Sequence, residues 1–464
     1  MSNAGLIGRS LLGLACLLFG ACGDQDAVSQ KKEQGSQKID ATKEKVGEKI
    51  DATKEKVGEK VAELEQGFYD WSNETKHDVL CKVMDGMIGN HDGVPGPGTA
   101  GAARWGIPAK PPAKAKVRRS YSSLSDAEKK KVVDAFVALK KVTTGSGSPG
   151  SSRANYDSIC GPVGQPQYER NLYDYYVEAH MNAFMSMGTP VEAHHSMSHM
   201  GPQFLPWHRY LLLRVEADLA EAIGDPEFTL PYWDWTDCHA DGDPKTCAPI
   251  FQREFLGTGG SCNDDARQVE GYLTDQGFQL NITTQGNTMF VPDAIVCNQP
   301  RPLHRQVGCE DLIPTVAGQA EIDAMFARPT YDAAPYDSCN TEEDVSFRQY
   351  LEGYDNDDTN MTCVAVGCAT HSSGHIFIGA DMYESSGSPN DPLFFIHHAQ
   401  VDRLWAAWQQ ANLAKGGEAA VDHGNPGYPE THRGSLFVWP EVLASEMFDY
   451  QALGYQYDTL PSPK

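Results

Sequence analysis

Residues 371–408 constrain the chain most. The stretch opens His371-Ser-Ser-Gly-His375, runs on for twenty-one residues, and then reads His397-His398-Ala-Gln-Val-Asp402-Arg403-Leu-Trp405. His371 and His375 are four apart, so on a helix both rings lie on one face. Asp391-Pro392 has the form of a helix start, with the aspartate as N-cap and the proline at the first helical position. From there Phe394, His398, Val401, Trp405 and Trp408 recur at steps of three and four, the core face of an amphipathic helix. His398 sits in the middle of that face. A buried imidazole without a partner is costly. Three histidines converging from two helices point to a metal as that partner.

A second set lies upstream. From Asn171 a helical pattern places Tyr173, Tyr176, Val177, His180, Phe184 and Met187 on one side. A loop with Gly188, Pro190, His194 and His195 leads to His199. Pro206 then opens a helix whose His208, Leu212, Val215 and Leu219 share a face, ending near Gly224-Asp-Pro226. The count is three plus three: His180, His199 and His208, then His371, His375 and His398. Neither set contains a carboxylate or thiolate. All-imidazole ligation suits copper or zinc rather than magnesium or calcium. The zinc-peptidase pattern HExxH is missing, and two matched triplets with open positions fit a pair of coppers that change oxidation state. His397 is turned about 100° from His398 around the helix, so it is expected to support the site rather than to ligate.

The rest of the chain frames these sets. Its 464 residues carry a net charge of −25, which excludes nucleic acid as a partner because phosphate contacts require basic patches. Residues 1–22 read as a lipoprotein-like signal peptide: Arg9, an apolar run from Leu11 to Phe19, then Gly-Ala-Cys22. The expected location is therefore extracytoplasmic, secreted or held at the cell envelope by a lipid on Cys22. Residues 23–66 read as a charged stalk or linker, in which the unit Ile39–Lys49 recurs unchanged as Ile50–Lys60. That period of about 3.67 residues per turn suits a marginal helix. Residues 67–464 form the expected catalytic domain. It includes loops at Pro95–Pro112 and Thr143–Ser152, a helix over Leu124–Val142 capped by Ser125, and a turn-rich 225–345. Of twelve cysteines, ten follow residue 80, unpaired in CxxC form; up to five disulfides from an oxidising compartment are expected. His77, His91, His239 and His304 stand alone and read as structural.

The two histidine sets, with Phe204-Leu-Pro-Trp-His208-Arg209 and Asn390-Asp391-Pro392-Leu-Phe394-Phe-Ile-His397-His398 followed by Val-Asp402-Arg403-Leu-Trp405, resemble the copper A and copper B motifs of tyrosinases. The wider type 3 copper family also includes catechol oxidases and haemocyanin units. The resemblance runs over roughly Arg118–Tyr457. It implies a mainly α fold: a four-helix bundle enclosing two copper ions, with long disulfide-stapled loops and little β. It implies O2 as co-substrate and a small phenol as substrate, ortho-hydroxylated or, as a diphenol, oxidised to an o-quinone; haemocyanins only carry oxygen. Asp391, Phe394, His397 and Arg209 are expected to support the ligands from behind. Glu352 resembles the glutamate that, in the family, orients a water to deprotonate a phenol. That water's second partner in tyrosinases is often an Asn after the first copper B histidine, where this chain has Ser372. Met197 stands where some members have a cysteine bonded to the neighbouring histidine. Tyr455 and Tyr457 match the Tyr-x-Tyr that closes the family's core. With seven residues after them, no lid domain is expected, which favours an enzyme over a carrier.

Overall fold

The computed structural model describes residues 107–108, 112–143, 159–160, 170–185, 198–199, 201–240, 247, 249–263, 267–285, 294–309, 315–332, 346–353, 370–414 and 435–462. All belong to the unit Asn73–Lys464. The signal peptide, the stalk, His77, His91, His194, His195, Met197, His423, His432, Cys81, Cys339, Cys363 and Cys368 lie outside the described residues.

Among the described residues seven helices carry the fold: α1 (Asp126–Leu139), α2 (Leu172–Met185), α3 (Phe204–Ala222), α4 (Gln319–Phe326), α5 (Phe347–Glu352), α6 (His371–Ile378) and α7 (Leu393–Ala414). Their ends follow local chemistry. Ser125 and Glu128 form a capping box at α1. The Asn171 side chain accepts from the Asp174 N–H at the start of α2. Asp391 Oδ1 accepts from the Leu393 N–H at 2.9 Å, so the cap of α7 is the residue expected from sequence. Helix α3 begins at Phe204, two residues ahead of Pro206. Proline is tolerated there because first-turn N–H groups have no acceptor within the helix. It ends where Gly224 takes φ +66° and the Asp225 N–H returns to the Ala220 carbonyl.

Strand is sparse: β1 (Lys116–Arg118), β2 (Leu280–Gln285), β3 (Ala294–Arg301), β4 (Ser435–Leu436), β5 (Trp439–Leu443) and β6 (Tyr455–Tyr457) form three two-stranded sheets. β2–β3 and β4–β5 are antiparallel, and β1 pairs parallel with β6, Lys116 opposite Tyr455 and Arg118 opposite Tyr457. The turn-rich 225–345 thus holds a hairpin, α4 and single-turn helices at Asp237–Ala240 and Tyr272–Asp275. Disulfides Cys160–Cys297, Cys238–Cys247 and Cys262–Cys309 staple it.

α2, α3, α6 and α7 form the bundle. α3 packs on α1, α2 and α7, and α6 on α7 and α5. Beside the bundle lies a buried ionic knot. Arg118 and Arg209 both pair with Asp402, which also accepts from the Tyr455 and Tyr457 hydroxyls. Arg118 reaches Glu216 as well. The knot ties β1 and β6 to α3 and α7. Arg305 makes a bidentate pair with Asp391 and donates to the Leu256 and Thr258 carbonyls, fixing the start of α7 against the disulfide-stapled loops. No helix among the described residues is long and apolar enough to cross a membrane.

Candidate metal centre

The bundle brings the six histidines together. His180 on α2, His199 on the loop before α3 and His208 on α3 form one cluster. His371 and His375 on α6 and His398 on α7 form the core of another. All six are buried. The clusters adjoin, with the His208 and His398 rings stacked at 4.3 Å and only 12° apart in plane. Phe394 lies against both, its centroid 4.1 Å from His398 and 5.0 Å from His180.

The outward-facing ring nitrogens fix the chemistry. Nδ1 of His180 donates to the Ser386 carbonyl, His208 to Phe204, His371 to Glu352 and His375 to Met382, all at 2.8–3.0 Å. A carbonyl only accepts, so each of these rings carries its proton on Nδ1 and presents a bare Nε2. His199 Nδ1 meets the Ser198 hydroxyl instead, at 2.8 Å. Nε2 of His180 and of His208 is buried with no protein partner. In the second cluster His371 Nε2 lies 2.9 Å from His375 Nε2 and 3.2 Å from His398 Nε2. Two lone pairs so close repel unless a cation sits between them. A proton does not suffice. Burial pushes His180 down to about 3 and His375 to about 4, and burial with neighbouring rings pushes His199, His208, His371 and His398 well below 6.5. Neutral imidazoles with converging lone pairs fit a soft-to-borderline metal in each cluster.

His397 adjoins the second cluster but has no lone pair to give. Trp235 Nε1 donates to its Nδ1 at 3.1 Å, so the proton is on Nε2, which donates to the His371 carbonyl at 3.1 Å. Sequence reasoning missed Trp235, which stands in the aromatic run Pro231–Trp235 with no histidine spacing to mark it. The ring also packs closely against Gly374. A Cβ there would come within 2.2 Å of His397 Cε1. Gly374→Ala is therefore expected to wedge α6 from α7 and weaken metal binding about 10- to 100-fold in chelator competition. Wild-type affinity in that variant would remove the role given to the close approach.

Asp391 and Arg209 act at one remove, through the α7 cap with Arg305 and through Asp402. Glu352 and Ser372 are adjacent, but not through the glutamate's carboxylate. The Ser372 hydroxyl donates to the Glu352 backbone carbonyl at 2.7 Å, the carbonyl that also receives His371. The Glu352 carboxylate pairs with buried Arg348, which is held in turn by Asp332. Arg348 was not singled out from the sequence, because its pairing depends on Asp332 on another segment. His239 Nε2 donates to the Val316 carbonyl at 2.9 Å, away from both clusters.

A helical bundle that sets two buried all-histidine clusters side by side defines a type 3 dinuclear copper protein. Comparison with known proteins makes the assignment more definite. The profile of the common central domain of tyrosinase matches residues 170–411, just over half of the chain, and the chain belongs to the tyrosinase family of copper oxidases. It is 32% identical over 245 residues to grixazone synthase of Streptomyces griseus subsp. griseus, covering 52% of this chain and 76% of that protein. It is 30% identical over 295 residues to a tyrosinase of Streptomyces antibioticus, covering 63% and 83%. Its fold is similar to that of a polyphenol oxidase from Thermothelomyces thermophila, with TM-score 0.52 and 20% identity over 75% of this chain and 89% of that one.

Proposed function

We propose that the protein oxidises small o-diphenols, and o-aminophenols, to o-quinone products with O2, and hydroxylates monophenols much more slowly. Two coppers are held, one by His180, His199 and His208, the other by His371, His375 and His398. The carrying observation is the set of bare Nε2 atoms converging in two adjoining clusters, four of them fixed by Nδ1–carbonyl bonds. When bound, the copper pair supplies a two-electron acceptor that O2 reoxidises. Each diphenol loses two electrons and two protons; two diphenols reduce one O2 to two waters.

The chain's own residues orient the rings and keep the centre dry. Phe204 lies 5.0 Å from His371 and 4.8 Å from His208, and with Phe394 it fills the space around the imidazoles. Preference for diphenols rests on the state of the two nearby polar groups. A monophenol must lose its proton at the site, and the Glu352 carboxylate is engaged by Arg348 while Ser372 donates inward. The names of the Streptomyces relatives support a phenolic substrate class.

Oxygen uptake by copper-reconstituted protein, with tyramine set against dopamine and tyrosine against L-DOPA, tests this. The expected diphenol rate exceeds the monophenol rate by at least about tenfold. Ser372→Asn, which adds an amide able to hold a water, is expected to narrow that gap. No turnover of any diphenol or aminophenol by fully metallated protein would refute the reading. An unchanged monophenol rate in Ser372→Asn would remove the weight placed on that position.

A further inference from the structure

Residues 382–391 do more than connect α6 to α7. The Met382 carbonyl receives His375 Nδ1, from the second cluster. The Ser386 carbonyl receives His180 Nδ1, from the first. The Pro389 carbonyl receives the Tyr173 hydroxyl, which pins α2, the His180 helix, to the same segment. Asp391 caps α7, the helix that carries His398. Two histidines, one from each cluster, thus donate a ring hydrogen bond to ten consecutive residues that also cap the helix of a third.

Within that segment one side chain holds the backbone in shape. Glu384 is buried at 8% exposure, and no Lys or Arg forms an ion pair with it among the described residues. Its two carboxylate oxygens accept from the segment itself, Oε1 from the Ser386 N–H and Oε2 from the Gly387 N–H, both at 2.9 Å, and Thr284 on β2 adds a side-chain hydrogen bond. These two N–H groups flank the Ser386 carbonyl that faces His180. The turn is tightly enclosed. A Cβ at Gly387 would meet Glu384 Oε2 at 2.8 Å, Thr284 Cγ2 at 3.0 Å and Met181 Cε at 3.1 Å. Burying a carboxylate to brace a turn is costly unless its position matters.

We propose that Glu384 is a positioning residue for the dinuclear centre: its carboxylate fixes the Ser385–Gly387 turn so that the Ser386 carbonyl locks the His180 tautomer and ring angle, which makes metal affinity at the first cluster depend on it. The inference rests on the copper assignment above. Glu384→Gln keeps the shape but offers an NH2 where a second acceptor is needed, so one of the two N–H bonds is lost. Partners that orient a ligating histidine are typically worth about 10- to 100-fold in metal affinity.

The experiment loads wild type, Glu384→Gln, Glu384→Ala and Glu216→Gln with copper, dialyses against graded chelator, and counts metal per chain. Unfolding of each metal-free protein is followed in parallel. Glu216 is the control for lost stability, a buried carboxylate that takes a backbone N–H from Leu230 and pairs with Arg118, outside the histidine clusters. The expected result is two coppers in wild type and Glu216→Gln, and one copper released at about 10-fold lower chelator in Glu384→Gln, with a larger loss in Glu384→Ala. The spectrum of the remaining copper should be that of an isolated Cu(II) rather than a coupled pair. Two coppers held equally in all four proteins would overturn the inference. So would release that tracks metal-free stability alike in Glu384→Gln and Glu216→Gln, which is what a merely structural carboxylate gives. Failure of wild type to hold two coppers refutes the copper assignment instead.

Discussion

His371→Gln is expected to lose the copper of the second cluster and to lower diphenol oxidation by on the order of 1,000-fold or more. The size of the effect follows from the place of this ring. His371 Nε2 is the atom that both His375 Nε2 and His398 Nε2 approach, at 2.9 and 3.2 Å, so without it the other two no longer face a common point. Two-electron oxidation requires both metals, so losing one is not a partial loss. The fold should survive. The contact that seats α6 on α7, from His397 Nε2 to His371, uses the backbone carbonyl and remains. Only the Nδ1 bond to Glu352 goes with the ring. Metal analysis should give about one copper per chain, and stopped-flow oxygen consumption should show the rate. Two tightly held coppers with a wild-type rate would sink the ligand assignment.

Asp402→Asn is expected to have its largest effect on stability. Asp402 is 3% exposed and receives Arg209, Arg118 and the Tyr455 and Tyr457 hydroxyls. Asparagine has the same outline but leaves two buried guanidiniums without this counter-charge, and it turns an NH2 towards groups that are all donors. Breaking a buried pair of this kind costs about 3–5 kcal/mol, read from urea unfolding of the metal-free protein. The pH dependence has a definite sign. Burial alone would raise the Asp402 carboxyl, but the charges of Arg209 and Arg118 and the tyrosine hydroxyls outweigh it and hold it below 3.8. A depressed carboxyl contributes its full stability above 3.8 and loses it as pH falls from there through its lower folded-state value. The variant should therefore start lower at neutral pH and show a flatter acid limb. A difference under about 1 kcal/mol would mean the knot is not a keystone.

How much of this was legible in the sequence depends on the range of each interaction. The start of helix α7 was legible nearly to the residue, because Asp391 and the Phe394–His398–Val401–Trp405 face are local signals; its run on to Ala414, past the last aromatic of that face at Trp408, was not. The Ser125 cap of α1 and the Gly224 end of α3 were legible for the same reason. The six histidines the spacing singled out are gathered with His397 beside them, and the turn of about 100° between His397 and His398 points the first towards Trp235 and the second towards His208. What was hidden is contact between distant segments. Nothing in the sequence says that His180 meets Ser386, 206 residues on, or that Trp235 meets His397, 162 residues on. Arg348 was hidden although it is four residues from Glu352, because its pairing is decided by Asp332 on another segment. The hairpin β2–β3 was missed because short mixed runs between cysteines carry no clear period.

The parallel pairing of β1 with β6 makes the domain a closed ring. Arg118 and Tyr457 are 339 positions apart along the chain yet touch in the core. Closing a loop of that size costs entropy that no local helix returns, and such contacts slow folding. A chain emerging from synthesis therefore cannot complete the ionic knot, nor the full bracing of α3 and α7 on which His208 and His398 ride, until β6 is released. Maturation of the metal centre is in this sense an event of the whole domain, which favours insertion of the metals after the ring has shut.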